Sequence, residues 1–186
     1  MVIRHGVASD APLLASLARH TFFDTFAATN DAGDMAIHLE RAYGVAQQAA
    51  ELADPRIVTL LVEPALSESE RLVSSDESNG SGAEVIGYAQ LREGEVPACV
   101  AGPGAIELWR FYVRREWHGQ GIAQALMERV RAEAAARGAA TLWLGVWDRN
   151  PRAQAFYRKC GFVDVGDHVF LFGTDPQRDL VMEAKL

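Results

Sequence analysis

The 186-residue sequence is short of several things, and each shortage removes a class of protein. It has two cysteines, Cys99 and Cys160, too few for a disulfide framework and at no metal-binding spacing. A reducing compartment is therefore its natural setting, and no metal site is expected. It has no excess of basic residues: 18 Lys and Arg against 25 Asp and Glu give a net charge of −7. That balance argues against a nucleic-acid surface and leaves room for a cationic substrate. No segment approaches the ~20 apolar residues of a membrane span, and the N-terminus lacks a secretory apolar run. The chain is read as cytoplasmic, with neither nucleic acid nor membrane as a partner. No internal repeat is visible. What is present is 49% hydrophobic and 23% charged residues, ordinary for a soluble chain that builds one core over residues 1–186.

The periodicities alternate. "VIRHGVA" reads as a strand, and "SDAPLLASLARHTFF" as a helix capped by Ser9 or Asp10, with Pro12 in its first turn. "GDMAIHLERAYG" and "VAQQAAELADP" continue helically, the second stopping before Pro55. "RIVTLLVEP", "EVIGYAQLREG" and "AIELWRFYV" are strands, and the polar stretch between the first two predicts a long, mobile hairpin loop over 66–84. Ile122, Leu126, Val130 and Ala134 mark a helix ending near Gly138. "TLWLGVW" is a strand, "RAQAFYRKC" a helix behind an Asn150–Pro151 cap, and "FVDVGDHVFLFG" and "DLVMEAKL" are closing strands. The order predicts an α+β sandwich: a mixed sheet with helices on both faces.

One segment asks for chemistry. In "HGQGIAQAL", Gly119 and Gly121 stand between a strand and a helix. A P-loop is excluded because Ile122 occupies the place of its lysine. The dinucleotide fingerprint fails because Gln124 replaces its third glycine. Two readings remain: an ordinary turn, or a helix N-terminus whose free amides receive a phosphate, with glycines letting it approach.

The segment "IELWRFYVRREWHGQGIAQAL", taken with "WLGVWDRNPRAQAFYRKCGF", resembles the GCN5-related N-acetyltransferase superfamily, GNAT. The superfamily's Gln/Arg-x-x-Gly-x-Gly/Ala pattern falls on His118, Gly121 and Ala123, and His118 departs from its first position. Within the superfamily, "TFFDTFAATN", "WLGVWDRN" and "VGDHVFLFGTDPQRDLVM" are similar to PaiA-type polyamine (spermine/spermidine) acetyltransferases. The resemblance implies a mostly antiparallel sheet and acetyl-CoA as co-substrate, without a metal. A small-molecule amine is the expected partner, alongside a second copy of the chain in a homodimer.

The resemblance also implies roles. Phe111, Tyr112 and Val113 would pair with the pantetheine arm. His118, Gly119, Gln120, Gly121, Ile122 and Ala123 would seat the pyrophosphate, and Asn150 would reach the arm. Tyr157 would face the thioester sulfur as acid, Glu107 would serve as base directly or through water, and Phe26 and Asp31 would lie on the substrate side. The chemistry needs a neutral amine: an alkylammonium near ~10.4 must give up about 4–5 kcal/mol of proton affinity at pH 7. A leaving thiolate near ~8.5 is matched by a tyrosine donor near ~10. From the residues alone, Asn150 is explained as a cap and Glu107 as a solvent-facing strand residue. Tyr157, Trp143, Trp147 and Cys160 read as packing, and His168 as structural. Asp24, Asp31, Asp34 and Glu40 read either as a solvated face or as a set attracting a polycation. The rivals to a polyamine enzyme are an acetyltransferase for amino acids, aminoglycosides or protein amines, and a non-catalytic acyl-CoA-sensing module.

Overall fold

The computed structural model describes residues 1–65 and 84–186. The hairpin loop expected over 66–84 thus lies, all but Glu84, outside the described residues. The elements follow the order β1 (Val2–His5), α1 (Ala11–Phe26), α2 (Ala32–Ala42), α3 (Val45–Ala53), β2 (Ile57–Glu63), β3 (Gly87–Arg92) and β4 (Ala105–Val113), then α4 (Ile122–Ala136), β5 (Thr141–Trp147), α5 (Pro151–Lys159), β6 (Val163–Phe172) and β7 (Asp175–Lys185). The sheet has seven strands in the order β1-β2-β3-β4-β5-β7-β6, and β4–β5 is its one parallel pair among the described residues.

Strand alternation builds two cores. Val58, Leu60, Val62, Ile106, Leu108, Leu142 and Leu144 turn to one face, where they meet Ile122, Leu126, Met127 and Val130 of α4. The other face takes Leu61, Val85, Tyr88 and Phe172 against Leu14, Leu17, Ala18 and Phe22 of α1 and Met35 and Leu39 of α2. The 3.6-residue period of each helix meets the two-residue period of the sheet on both sides. This is the expected sandwich.

The first helix begins differently from expectation. Asp10 sits in a short 3-10 turn before α1 and makes no side-chain cap. Its carboxylate instead accepts from Arg4 Nη1 at 2.7 Å and Nη2 at 2.9 Å, and from the Val7 amide at 2.8 Å. A fixed guanidinium outcompetes the helix amides for it, and the pairing lowers the Asp10 pKa.

Two irregularities of β4 position the site. Gln90 pairs with Arg110 but Leu91 pairs with Leu108, so Trp109 is an extra, unopposed residue. Such a bulge reverses the alternation beyond it. Ile106 and Leu108 face α4 before the bulge, and Phe111 and Val113 face it afterwards. The second irregularity is a parting: β4 pairs with β5 only over Ala105–Glu107 against Thr141–Trp143. Beyond that point β5 stays with β7 as far as Trp147 against Asp179, and the sheet opens.

Candidate active site

At one end of the opening lies the glycine loop. A 3-10 turn, Arg115–Trp117, brings the chain from β4 to His118. Gly119 and Gly121 then adopt φ of 81° and 78°, the left-handed region that favours glycine. A Cβ at either would touch nothing within 4 Å, so the glycines answer a backbone need and face open space. Gly121 is the N-cap of α4 and supplies no side-chain cap, while the first intrahelical bond is donated by Ala125. The amides of Ile122, Ala123 and Gln124 therefore stand free at the positive end of a 15-residue helix. His118 ties this loop to its surroundings. Its Nε2 lies 2.8 Å from the Val113 carbonyl and its Nδ1 2.8 Å from Arg152 Nη2 on α5. A carbonyl only accepts and a guanidinium only donates, so the proton resides on Nε2.

The opening continues as a cleft of about 880 Å³ whose walls include Phe111, Tyr112, Val113, His118, Ala123, Asn150 and Tyr157. Asn150 accepts the Ala153 amide at 3.1 Å and so caps α5 while bordering the cleft. Tyr157 packs edge-on against Phe111 and Phe162, and burial raises its phenol pKa well above the ordinary value. It therefore keeps its proton at neutral pH and is available as a donor.

On the α1–α2 side the cleft has aromatic walls. Phe22 and Phe172 flank His38 at 4.5 and 5.3 Å, and Phe26 meets Trp147 at 5.8 Å. Burial, with Arg110 and Arg41 nearby, lowers the His38 pKa to about 4, so this ring is neutral. The floor is polar. Arg110 is buried and held by Glu51 and Gln90, with its guanidinium 3.8 Å from the Trp109 ring. Arg92 also lies over that ring, at 4.0 Å, and binds Glu107 at 2.6 Å.

The chain between residues 38 and 162 matches the family model described as "Acetyltransferase (GNAT) family". A Mycobacterium tuberculosis N-acetyltransferase is 35% identical over 137 residues, covering 74% of this chain and 78% of its own. The chain belongs to the GNAT family of acetyltransferases. An N-acetyltransferase of Lactobacillus delbrueckii subsp. lactis, from the pepI 3′ region, is 28% identical over 95% of this chain and 92% of its own. The PaiA N-acetyltransferase of Thermoplasma acidophilum, solved with coenzyme A, shares the fold at a TM-score of 0.69. It is 20% identical, with both chains fully covered. The protein is thus an N-acetyltransferase, and acetyl-CoA is the acetyl donor of its family.

The GNAT frame brings most of the expected residues to one cleft, with three differences. Asp31 does not line it: its carboxylate accepts the Gly33 and Asp34 amides at 2.7 and 3.1 Å and caps α2. An acid just before a helix is drawn to the free amides. Glu107 reaches the cleft, yet Arg92 engages it through Nε at 2.8 Å as well as through Nη2. Burial raises its pKa while Arg92 works against the rise. A carboxylate held by a guanidinium is a poor proton acceptor, which weighs against Glu107 as the base. Trp147 and His168, read as packing and structural, both border the cleft, as does Asp24. Asp34 serves instead to dock the start of α2 on the β6–β7 turn, accepting from Thr174 N at 2.6 Å and Thr174 Oγ1 at 2.8 Å. Trp109, Arg110 and Asp179 line the cleft without having been singled out in the sequence. The available signals were a lone acid in the apolar run "RDLVM" and a glycine amid the bulky residues of "LWLGVW". No group of residues suited to a metal ion occurs among the described residues.

Proposed function

We propose that this cytoplasmic enzyme transfers the acetyl group of acetyl-CoA directly to a small primary amine within a ternary complex, with a polyamine as the first substrate to test. One observation carries the reading. Beyond Glu107 and Trp143 the sheet opens into a cleft with unpaired helix amides at one end and aromatic and acidic walls at the other. The residues suit acetyl-CoA. The amides of Ile122 to Gln124 accept the pyrophosphate, with Arg115 and Arg152 bordering the same end. The edge of β4 turned towards β5 has no strand partner after Glu107 and suits a peptide-like pantetheine arm. Asn150 borders that path, and the Tyr157 hydroxyl donates to the departing sulfur.

A polycationic amine is favoured by the opposite end. Its aromatic rings present negative faces to a cation, and Asp24 and Asp179 supply carboxylates. Two of its arginines, Arg92 and Arg110, are already neutralised by Glu107 and Glu51. Release of the CoA thiol, measured with spermidine, spermine, amino acids, aminoglycosides and peptide amines, tests the reading. The expected outcome is fastest release with a polyamine. Tight acetyl-CoA binding without release for any amine would instead identify an acyl-CoA sensor.

A further inference from the structure

We infer that Asp179, assisted by His168, receives the acceptor amine and removes its proton, the two side chains converging over Gly145 where β5 has parted from β4. This deepens the proposed transfer to an amine and rests on it.

Three strands make the arrangement. Asp179 on β7 is opposite Trp147 of β5 on one side and opposite His168 of β6 on the other. Gly145 lies two residues beyond Trp143, the last β5 residue paired with β4. A Cβ on Gly145 would stand 2.7 Å from His168 Nε2 and 3.4 Å from Asp179 Oδ2. Any larger residue at 145 would therefore displace the pair, which accounts for a glycine among bulky neighbours. Gly145 shares its strand face with Trp147, whose ring meets Phe26 of α1. The pair thus lies on the α1–α2 face of the opening, while Tyr157 packs with the α4 face. A thioester carbonyl in the opening would have the amine on one side and the tyrosine donor on the other.

Both side chains are unspent. Asp179 Oδ1 and His168 Nε2 are buried and have no hydrogen-bond partner among the described residues. Leaving two buried polar atoms unpaired costs stability, and such vacancies call for a ligand or a functional reason. An ammonium group, with three donors, satisfies both.

The electrostatics fit a base. Burial, reinforced by Asp148 just past the end of β5, raises the Asp179 pKa to about 7. Burial lowers that of His168, with Asp167 opposing, so His168 enters as a neutral acceptor. Arg178, next to Asp179 in sequence, is bound to Asp167 at 2.7 Å. Across the cleft Glu107 and Arg110 are held by Arg92 and Glu51, and Asp24 by His20 at 3.2 Å. His38 is neutral; the cleft cations Arg41, on the α2 side, and Arg149, just beyond Asp148, make no bond to Asp179 among the described residues. Unlike Glu107, Asp179 has no guanidinium to hold it ionised.

The step balances simply. R–NH3+ gives one proton to the Asp179 carboxylate, and the freed lone pair attacks the acetyl carbonyl. The C–N bond forms, the C–S bond breaks, and a second nitrogen proton replaces the one that Tyr157 donates to sulfur. The products are the acetamide and the CoA thiol, and Asp179 returns its proton to water.

The test compares wild type, Asp179→Asn and Asp179→Glu in the full-length protein, with spermidine as probe and then the rest of the amine panel. Asp179→Asn is expected to lower kcat by about 10²- to 10⁴-fold, the range of a general base, with acetyl-CoA affinity unchanged. Wild-type kcat/KM should fall tenfold per pH unit below about 7. The variant should lose that limb, and Asp179→Glu should restore part of the rate. Calorimetry of amine binding to the CoA complex should show at least a tenfold loss in Asp179→Asn. Wild-type-like turnover and amine affinity in Asp179→Asn would overturn the inference. So would an acidic limb that survives in it and vanishes in His168→Gln. Failure of the wild type to release thiol with any amine would count against the transfer reading itself. In that case the calorimetric comparison still decides whether Asp179 holds the amine, and equal affinities reject it.

Discussion

The donor end and the acceptor end of the cleft are built from different materials. The donor end is mostly backbone: free amides of α4, two glycines at positive φ, and the unpaired edge of β4. The acceptor end is side chains brought from α1, α2, β4, β6 and β7, with a buried ion pair beneath them. A site of backbone is fixed once its strand–turn–helix forms and tolerates many side chains. A site of side chains depends on each one, and different residues there would bind a different acceptor on the same frame.

The comparison can be tested from its strongest point to its weakest. Glu51→Ala removes the partner of the buried Arg110 guanidinium and should cost about 3–5 kcal/mol of stability, read as a lowered denaturation midpoint. A cost below ~1 kcal/mol would show that the acceptor floor does not depend on the pair. Tyr157→Phe should lower kcat about 10²-fold while the acetyl-CoA Kd stays within about threefold, because only the donor hydroxyl is lost. Gly121→Val should weaken acetyl-CoA binding about 30-fold, through left-handed strain of ~1–2 kcal/mol and a side chain in the anion's path. An unchanged Kd in calorimetry would remove the amides as its seat.

A smaller effect concerns pH. The folded-state pKa of Asp179, about 7, stands above the unfolded carboxylate value. The native protein therefore holds an extra proton between these values, and that stabilisation is lost as pH rises through about 7. The gain of Asp179→Asn over wild type should accordingly be larger at pH 8 than at pH 5, by about two pKa units or about 2–3 kcal/mol, read as a Tm difference that widens as pH rises. A variant more stable and less active would be expected at a position strained for function. Smallest of all, His118→Gln should change the acetyl-CoA Kd less than about threefold, since the neighbouring amides carry the contact.

The same contrast explains what could be read from the residues. Period and capping placed every strand and helix described, because each is decided within ten or so neighbours. The glycine loop was legible because positive φ and a missing side chain leave a mark in the sequence itself. The acceptor end left almost none. His168, Asp179 and Gly145 meet only through the β5–β7–β6 pairing, and no local spacing encodes which strands become neighbours. Glu107 could be placed on its strand, but its capture by Arg92 depends on the β3–β4 register. Asp31 carries the charge of a substrate-attracting set, but the two α2 amides that claim its carboxylate depend on where the helix starts.

The bulge at Trp109 has a consequence for changing this enzyme. Because one inserted residue reverses the strand's parity, the two halves of β4 are out of phase, and their contents can be redesigned separately. Point changes at 110–113 leave the phase of Ile106 and Leu108 alone. Deleting Trp109 would make Leu108 and Arg110 neighbours still opposite Leu91 and Gln90, a regular ladder in which Phe111 and Val113 keep facing α4 and Tyr112 keeps facing α1. In this strand the register with β3, not the count of residues, decides which side chains face the helices.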